Sequence, residues 1–240
     1  MGDGTDICKE ASDIIITDNN FISVANCVLM GRTFMHNVRG FLKFQLPINF
    51  ILVTVSVLFP LFLGISAIAA VQILIINIVI DSLNSFAFGG ESPRPEYMSE
   101  PATGKDAPLV TSQTLGGILW TTVGGVFILT LTLIPFFDRV FNTSGTSLSA
   151  RFAILVIIAM LNGLWIRVTP GYNIFGRFRN NPMFFVIALI VFVGTFLCVT
   201  YGGNALMLTP LNLDQWIWVI LLSLMILPIN VLYRLMFENR

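Results

Sequence analysis

Charge is scarce in this sequence. Only 11% of its 240 residues are Asp, Glu, Lys or Arg, and the two signs cancel. Soluble domains carry roughly 25% charged residues, so a water-facing surface along the whole chain is excluded. The zero net charge also removes the basic excess that a polyanion partner needs, which argues against nucleic-acid binding. Histidine is scarcer still. His36 stands alone, so no histidine metal cluster can form. The three cysteines, Cys8, Cys27 and Cys198, are odd in number and lack metal-site spacing; they read as reduced structural thiols. The N-terminus is polar and acidic rather than basic then apolar, which is not the pattern of a secretory signal.

Apolar residues take up what charge leaves. They make up 55% of the chain, and mean hydropathy is +0.85. The solvent for most of this surface must be lipid. The predicted fold class is an all-α membrane protein: six transmembrane helices with a short N-terminal remnant of an α/β domain. Residues 1–20 are the only clearly water-soluble stretch. Within them, Ile14, Ile15, Ile16 and Thr17 form a β-branched run that predicts one buried strand. Asp18, Asn19 and Asn20 supply helix N-cap chemistry. From Phe21 the pattern turns amphipathic, with Val24, Val28, Met35 and Val38 apolar and Arg32, Asn37 and Arg39 between them. This predicts a helix that starts in water and enters the membrane near Phe44. A lone strand and helix cannot make a domain, so residues 1–30 read as the end of a larger α/β unit and 31–240 as the membrane domain.

From Phe44 to Ile80 the apolar run is almost unbroken, roughly 35 residues where one span needs about 20. Two helices with a tight turn near Pro60 and Gly64 are expected, over 44–63 and 70–89. Polar breaks separate four more, at about 116–136, 151–168, 183–203 and 215–236. Trp120, Trp165, Trp216 and Trp218 fall near span ends, as interfacial belts require. Lys and Arg concentrate on one side: Arg32, Arg39 and Lys43, then Arg94 and Lys105, then Arg167, Arg177 and Arg179, then Arg234 and Arg240. The positive-inside rule makes that side cytoplasmic, with both termini on it. Asn142-Thr143-Ser144 is a glycosylation sequon on the opposite face.

One charge stands apart. Asp81 lies in the middle of VQILIINIVIDSLNSFAF. A carboxylate at mid-span costs at least about 2.5–3.5 kcal/mol on insertion scales, so it marks a functional site by default. Asn77 four residues earlier and Asn84 three later share its face of a helix. A carboxylate flanked by amide oxygens suits a hard cation such as calcium. Asn49 in the preceding helix can add another amide oxygen, and Pro47 beside it frees backbone carbonyls. The alternative is a protonated Asp81 that only clamps two helices. Asn84 is divided between ligand and helix glue, and Asn162, with Gly163, reads as glue. Gly124-Gly125 and Gly202-Gly203 read as packing sites or turns.

These residues resemble a family. MGDGTDICKEASDIIITDNNF is similar to the end of the phosphorylation domain of P-type ATPases, of the form GTDxxKEASDIIxxDxxF. GRTFMHNVRGFLKFQLPINF resembles the stalk and fifth membrane helix of that family. VQILIINIVIDSLNSFAFGGESP resembles the sixth, above all the Asn-x-x-x-Asp of calcium pumps. KDAPLVTSQT, NIFGRFRNNPMF and LDQWIWVILLSL resemble the following loop and last helices. The likeness covers nearly the whole chain and is nearest to the plasma-membrane type of calcium pump.

The resemblance implies that Asn77 and Asp81 are sixth-helix calcium ligands and Asn49 the fifth-helix contribution. It also implies limits. Sarcoplasmic-type pumps have a glutamate where Leu52 stands and a threonine where Ile80 stands, so one calcium site is expected rather than two. Gly2-Asp3-Gly4 looks like the magnesium-binding GDG but has the wrong sequence after it, so Asp3 receives no metal role. DKTG and TGES are absent, as are the nucleotide-binding domain and the fourth helix with its glutamate. The expectation is therefore the C-terminal membrane part of a calcium-pumping ATPase, inactive by itself. Calcium is its transported ion; Mg2+ and ATP would act only in a full-length pump. The implied partners are the lipid bilayer, the calcium ion and the missing N-terminal catalytic half. The host is a plasma membrane or a vacuolar or other endomembrane. Two alternatives stand beside it: a non-catalytic membrane protein that regulates or assembles with a pump, and a P-type pump for another cation.

Overall fold

Asn20 starts the longest element. Its extended backbone and side-chain oxygen, which accepts from the Ile22 amide, cap a helix that runs unbroken from Phe21 to Leu63. In this computed structural model, which describes residues 2–18, 20–102, 104, 107–142, 145–167 and 181–238, that helix is α2. It follows a single turn, α1 (Asp6–Glu10). The other elements are α3 (Ala70–Gly89), α4 (Ser112–Leu131), α5 (Pro135–Asn142), α6 (Ser147–Arg167), α7 (Pro182–Tyr201) and α8 (Leu213–Phe237). Six of these, α2, α3, α4, α6, α7 and α8, are long and apolar enough to cross a bilayer. The protein is an all-α, multi-pass membrane protein. Asn19, Lys105, Thr143, Ser144, Arg177, Arg179 and Arg240 lie outside the described residues, as does most of NIFGRFRNNPMF.

The expected strand is absent. Ile14–Thr17 carry no strand pairing among the described residues, and Ile14 and Ile15 are 69% and 45% exposed. The physical reason is that a strand needs a ladder partner and a face to bury, and the described residues hold no neighbouring strand. The start of α2 is equally bare: Phe21, Ile22, Val28 and Met30 are all exposed.

Helix ends follow glycine and proline chemistry. The turn after α2 sits at Gly64, whose φ of 66° is open to glycine and whose amide bonds to the Pro60 carbonyl. Pro60 itself is inside the helix rather than in the turn. Helix α4 begins at Ser112, capped by the Thr111 hydroxyl, and stops at Leu131, not 136. Pro135 has no N–H to give the Leu131 carbonyl, so the chain must break there. Helix α8 is interrupted at Met225, three residues before Pro228, and ends in a π-helical turn.

Helix α6 is the centre of the bundle. It is buried continuously from Ser149 to Met160 and touches α2, α4, α7 and α8. The outer helices face lipid: α7 exposes Leu189, Ile190, Phe192, Val193, Phe196 and Leu197. Gly124 and Gly125 let α4 approach its neighbours, Gly124 against Ile229 and Gly125 against Ile51. Gly163 packs on Phe44 and Phe184. Asn162 accepts from Asn230 at 3.4 Å, and Asn230 accepts from Thr121 at 3.1 Å, so this polar chain ties α6, α8 and α4. Asn162 thus acts as helix glue.

Loop contacts sort cleanly to the two ends of the bundle. At one end Arg151 bonds to the Ser66 carbonyl, Gln72 to the Leu206 and Met207 carbonyls, and Gln215 to Val140 and Thr146. At the other, Arg32 grips the carbonyls of Tyr97 and Glu100 at 2.6 Å each, His36 meets Glu100 at 2.8 Å, and Asn181 bonds to Ala87. The described parts of the connections after the first, third and fifth spans thus lie together, and the connection after the second lies opposite, beside Asn181.

Candidate functional site

Helices α2 and α3 build the site between them. Pro47 sits inside α2 without breaking it. It has no N–H, so the Lys43 carbonyl loses its partner within the helix. Asn49 follows two residues later. In α3 the backbone leaves α-geometry at Ile76–Ile80, a five-residue π-helical turn, and the Asp81 amide bonds back to the Ile76 carbonyl. Such π-turns are rare and frequently occur at functional sites. Asn77 lies within it and Asp81 directly after it.

A groove of about 530 Å³ opens between the two helices, lined by Gln45, Asn49, Leu52, Val53, Ser56, Ile73, Asn77 and Asp81. The three predicted ligands, Asn49, Asn77 and Asp81, therefore share one space. Asp81 is 7% exposed. Gln45 donates its side-chain N–H to Asp81 Oδ2. Asp81 Oδ1, Gln45 Oε1 and Ser56 Oγ are buried with no hydrogen-bond partner. Unsatisfied buried polar atoms are costly and rare in folded proteins, so three on one groove mark a place built for a further group. All three are oxygens, the donor type hard cations take.

Asn84 does not join them. It is 1% exposed and donates to the Ile80 carbonyl at 2.8 Å, while Ser85 donates to the Asp81 carbonyl. Asn84 acts as glue within its own helix. Leu52 forms an apolar part of the groove wall, and Ile80 is buried, so neither adds an oxygen. Gln45 and Ser56 were not singled out from sequence. The signal existed, because Gln45, Asn49 and Ser56 are polar positions on one stripe of an otherwise apolar helix, at spacings of four and seven.

Two buried arginines were also missed, because both lie near span ends and pass there for interfacial charges. Arg151 is 4% exposed, bonded to Thr132 and Ser66 and stacked over Phe59. Arg167 is 6% exposed, 2.5 Å from Glu91 and 4.2 Å over the ring of Phe184.

Residues 65–236 match the family described as cation transporting ATPase, C-terminus. The chain is 31% identical over 233 residues to plasma membrane calcium-transporting ATPase 2 of Oreochromis mossambicus, covering 92% of this chain and 21% of that protein. It is 32% identical over 233 residues to plasma membrane calcium-transporting ATPase 1 of Homo sapiens, at 92% and 19% coverage. It is 30% identical over 236 residues to the Gallus gallus plasma membrane calcium-transporting ATPase 1, again at 92% and 19%. The chain thus spans about a fifth of the length of these curated relatives. With the family match running across most of its membrane helices, the chain belongs to the cation-transporting ATPase C-terminal family.

Proposed function

We propose that the chain is the C-terminal membrane part of a P-type ATPase that pumps calcium, and that it supplies part of a single calcium site. The observation that carries this is the groove between α2 and α3, where Asn49, Asn77 and Asp81 meet and three buried oxygens lack partners. Calcium takes six to eight oxygen ligands, roughly more than this groove offers, so the remaining ligands come from a further helix of the longer protein. The names of the relatives, plasma membrane calcium-transporting ATPases, favour calcium over other cations. In this reading residues 1–30 are the end of the phosphorylation domain and stalk, and residues 31–240 the transporter membrane domain. Mg2+ and ATP act in the upstream half of the pump. Positive residues at one bundle end support cytoplasmic termini, in a plasma membrane or an endomembrane.

The test uses the longer protein that carries the upstream catalytic half. Asp81→Asn should abolish calcium-dependent phosphorylation from ATP and leave phosphate-driven phosphorylation of the same protein intact. Calcium-dependent phosphorylation at the unsubstituted level would overturn the ligand assignment.

A further inference from the structure

The groove between α2 and α3 is longer than one ion needs. Gln45 marks one end, where its amide N–H holds Asp81 Oδ2. Ser56 marks the other, eleven residues further along the same unbroken helix. At a rise of 1.5 Å per residue these levels stand about 16 Å apart along α2. Side chains on a helix lean toward its N-terminus, which carries the Gln45 amide away from Ser56. Calcium holds its oxygens at about 2.3–2.6 Å, so two ligands of one ion lie within roughly 5 Å of each other. Asp81 Oδ1 and Ser56 Oγ, both buried without a hydrogen-bond partner, therefore cannot serve one ion.

The Ser56 hydroxyl also departs from the habit of this bundle. A serine or threonine within a helix can give its proton to the carbonyl four residues back. Thr122, Thr195 and Ser223, buried in other spans, do so at 2.8, 2.7 and 2.7 Å. Ser56 makes no such bond to the Leu52 carbonyl. Around it the groove wall is apolar, formed by Leu52, Val53 and Ile73. Among the residues lining the groove, Ser56 is the one polar group beyond Leu52 toward the Gly64 end of α2. A buried hydroxyl left unpartnered costs free energy, and no described residue offsets that cost.

We infer that Ser56 Oγ is a second, weaker oxygen station for the transported cation, between its site at Asp81 and the Gly64 end of the bundle. The inference rests on the calcium reading and on cytoplasmic termini, which make the Gly64 end the side of release. One neutral oxygen on an apolar wall suits release. An ion moves on only where binding is favourable enough to admit it and weak enough to let it leave. The carboxylate at the Asp81 level captures the ion; the lone hydroxyl at the Ser56 level receives it without holding it.

The test uses the longer protein that carries the upstream catalytic half, sealed in vesicles so that calcium reaches one face at a time. The protein is phosphorylated from inorganic phosphate, and calcium is added on the release side until phosphorylation falls by half. Ser56→Ala should raise that calcium concentration about fivefold, the loss expected for one neutral oxygen contact. Calcium activation of phosphorylation from ATP, presented on the cytoplasmic side, should keep its midpoint in the same variant. Ser56→Thr, which retains the hydroxyl, should restore the release-side value. A merely structural role would move both faces together. Equal shifts on the two faces, or no shift on the release face, overturn the inference. The calcium reading fails separately, through calcium-dependent phosphorylation that survives Asp81→Asn.

Discussion

Gln45 and Asp81 join α2 to α3 through one hydrogen bond, the Gln45 amide N–H donating to Asp81 Oδ2. The bond holds one carboxylate oxygen toward α2 and leaves the other, Oδ1, without a protein partner. Half of the charge is thereby occupied and half is on offer.

Removing Gln45 tests the weight of that bond. Gln45→Leu leaves a 7% exposed carboxyl group with no partner on either oxygen. A buried group so orphaned costs about 1–3 kcal/mol. The unfolding free energy of the chain in mixed micelles should fall by that amount. Asp81→Asn added to Gln45→Leu should recover part of it, since a neutral amide is cheaper to bury.

Gly125 and Ile51 form a close helix contact with a size limit. A Cβ at Gly125 would overlap the Ile51 side chain, which is fully buried. Gly125→Val should destabilise the chain by about 1–3 kcal/mol through overpacking. Ile51→Ala costs stability alone but should cost less beside Gly125→Val. A double-mutant cycle with zero coupling would show that α2 and α4 do not meet here.

Glu91 faces the buried Arg167 across 2.5 Å. Glu91→Gln leaves that guanidinium uncompensated, and breaking one side of a buried pair costs about 3–5 kcal/mol. The midpoint of thermal unfolding should drop clearly. Adding Arg167→Met should restore most of it, because the pair is then replaced by apolar packing against Phe184 and Phe185.

Asp18 gives the start of α2 a pH dependence. The Ser23 hydroxyl donates to its carboxylate at 2.5 Å and the Asn20 amide at 3.1 Å, which holds its pKa below the ordinary 3.8. A depressed folded pKa stabilises above the ordinary value and is lost as pH falls through the folded one. Hydrogen exchange at Ile22 and Ser23 should therefore show weaker protection as pH drops below about 4. Asp18→Asn should flatten that trend.

The bundle was legible because hydropathy and helix punctuation are local. Asn20 and Gly64 bound the first long helix as their chemistry dictates, and the face that Asn77 and Asp81 share lines one groove with Asn49. The misses have a common cause. Ile14–Thr17 looked like a strand because its residues suit one, but pairing depends on neighbours that local pattern cannot supply. Arg151 and Arg167 looked interfacial because sequence gives depth along a span, not which side of the helix turns inward. Spacing alone leaves Asn84 divided between ligand and helix glue, and its bond to the Ile80 carbonyl decides for glue.

The winding of α3 has a consequence of its own. The π-turn at Ile76–Ile80 holds one residue more than an α-turn would. If the turn tightened to α-geometry, everything after it would change phase by one residue, about 100° around the axis. Asp81 would swing off the Gln45 amide and away from Asn49, while residues before Ile76 kept their contacts. The extra residue of the π-turn is thus what points the charge of α3 between the helices.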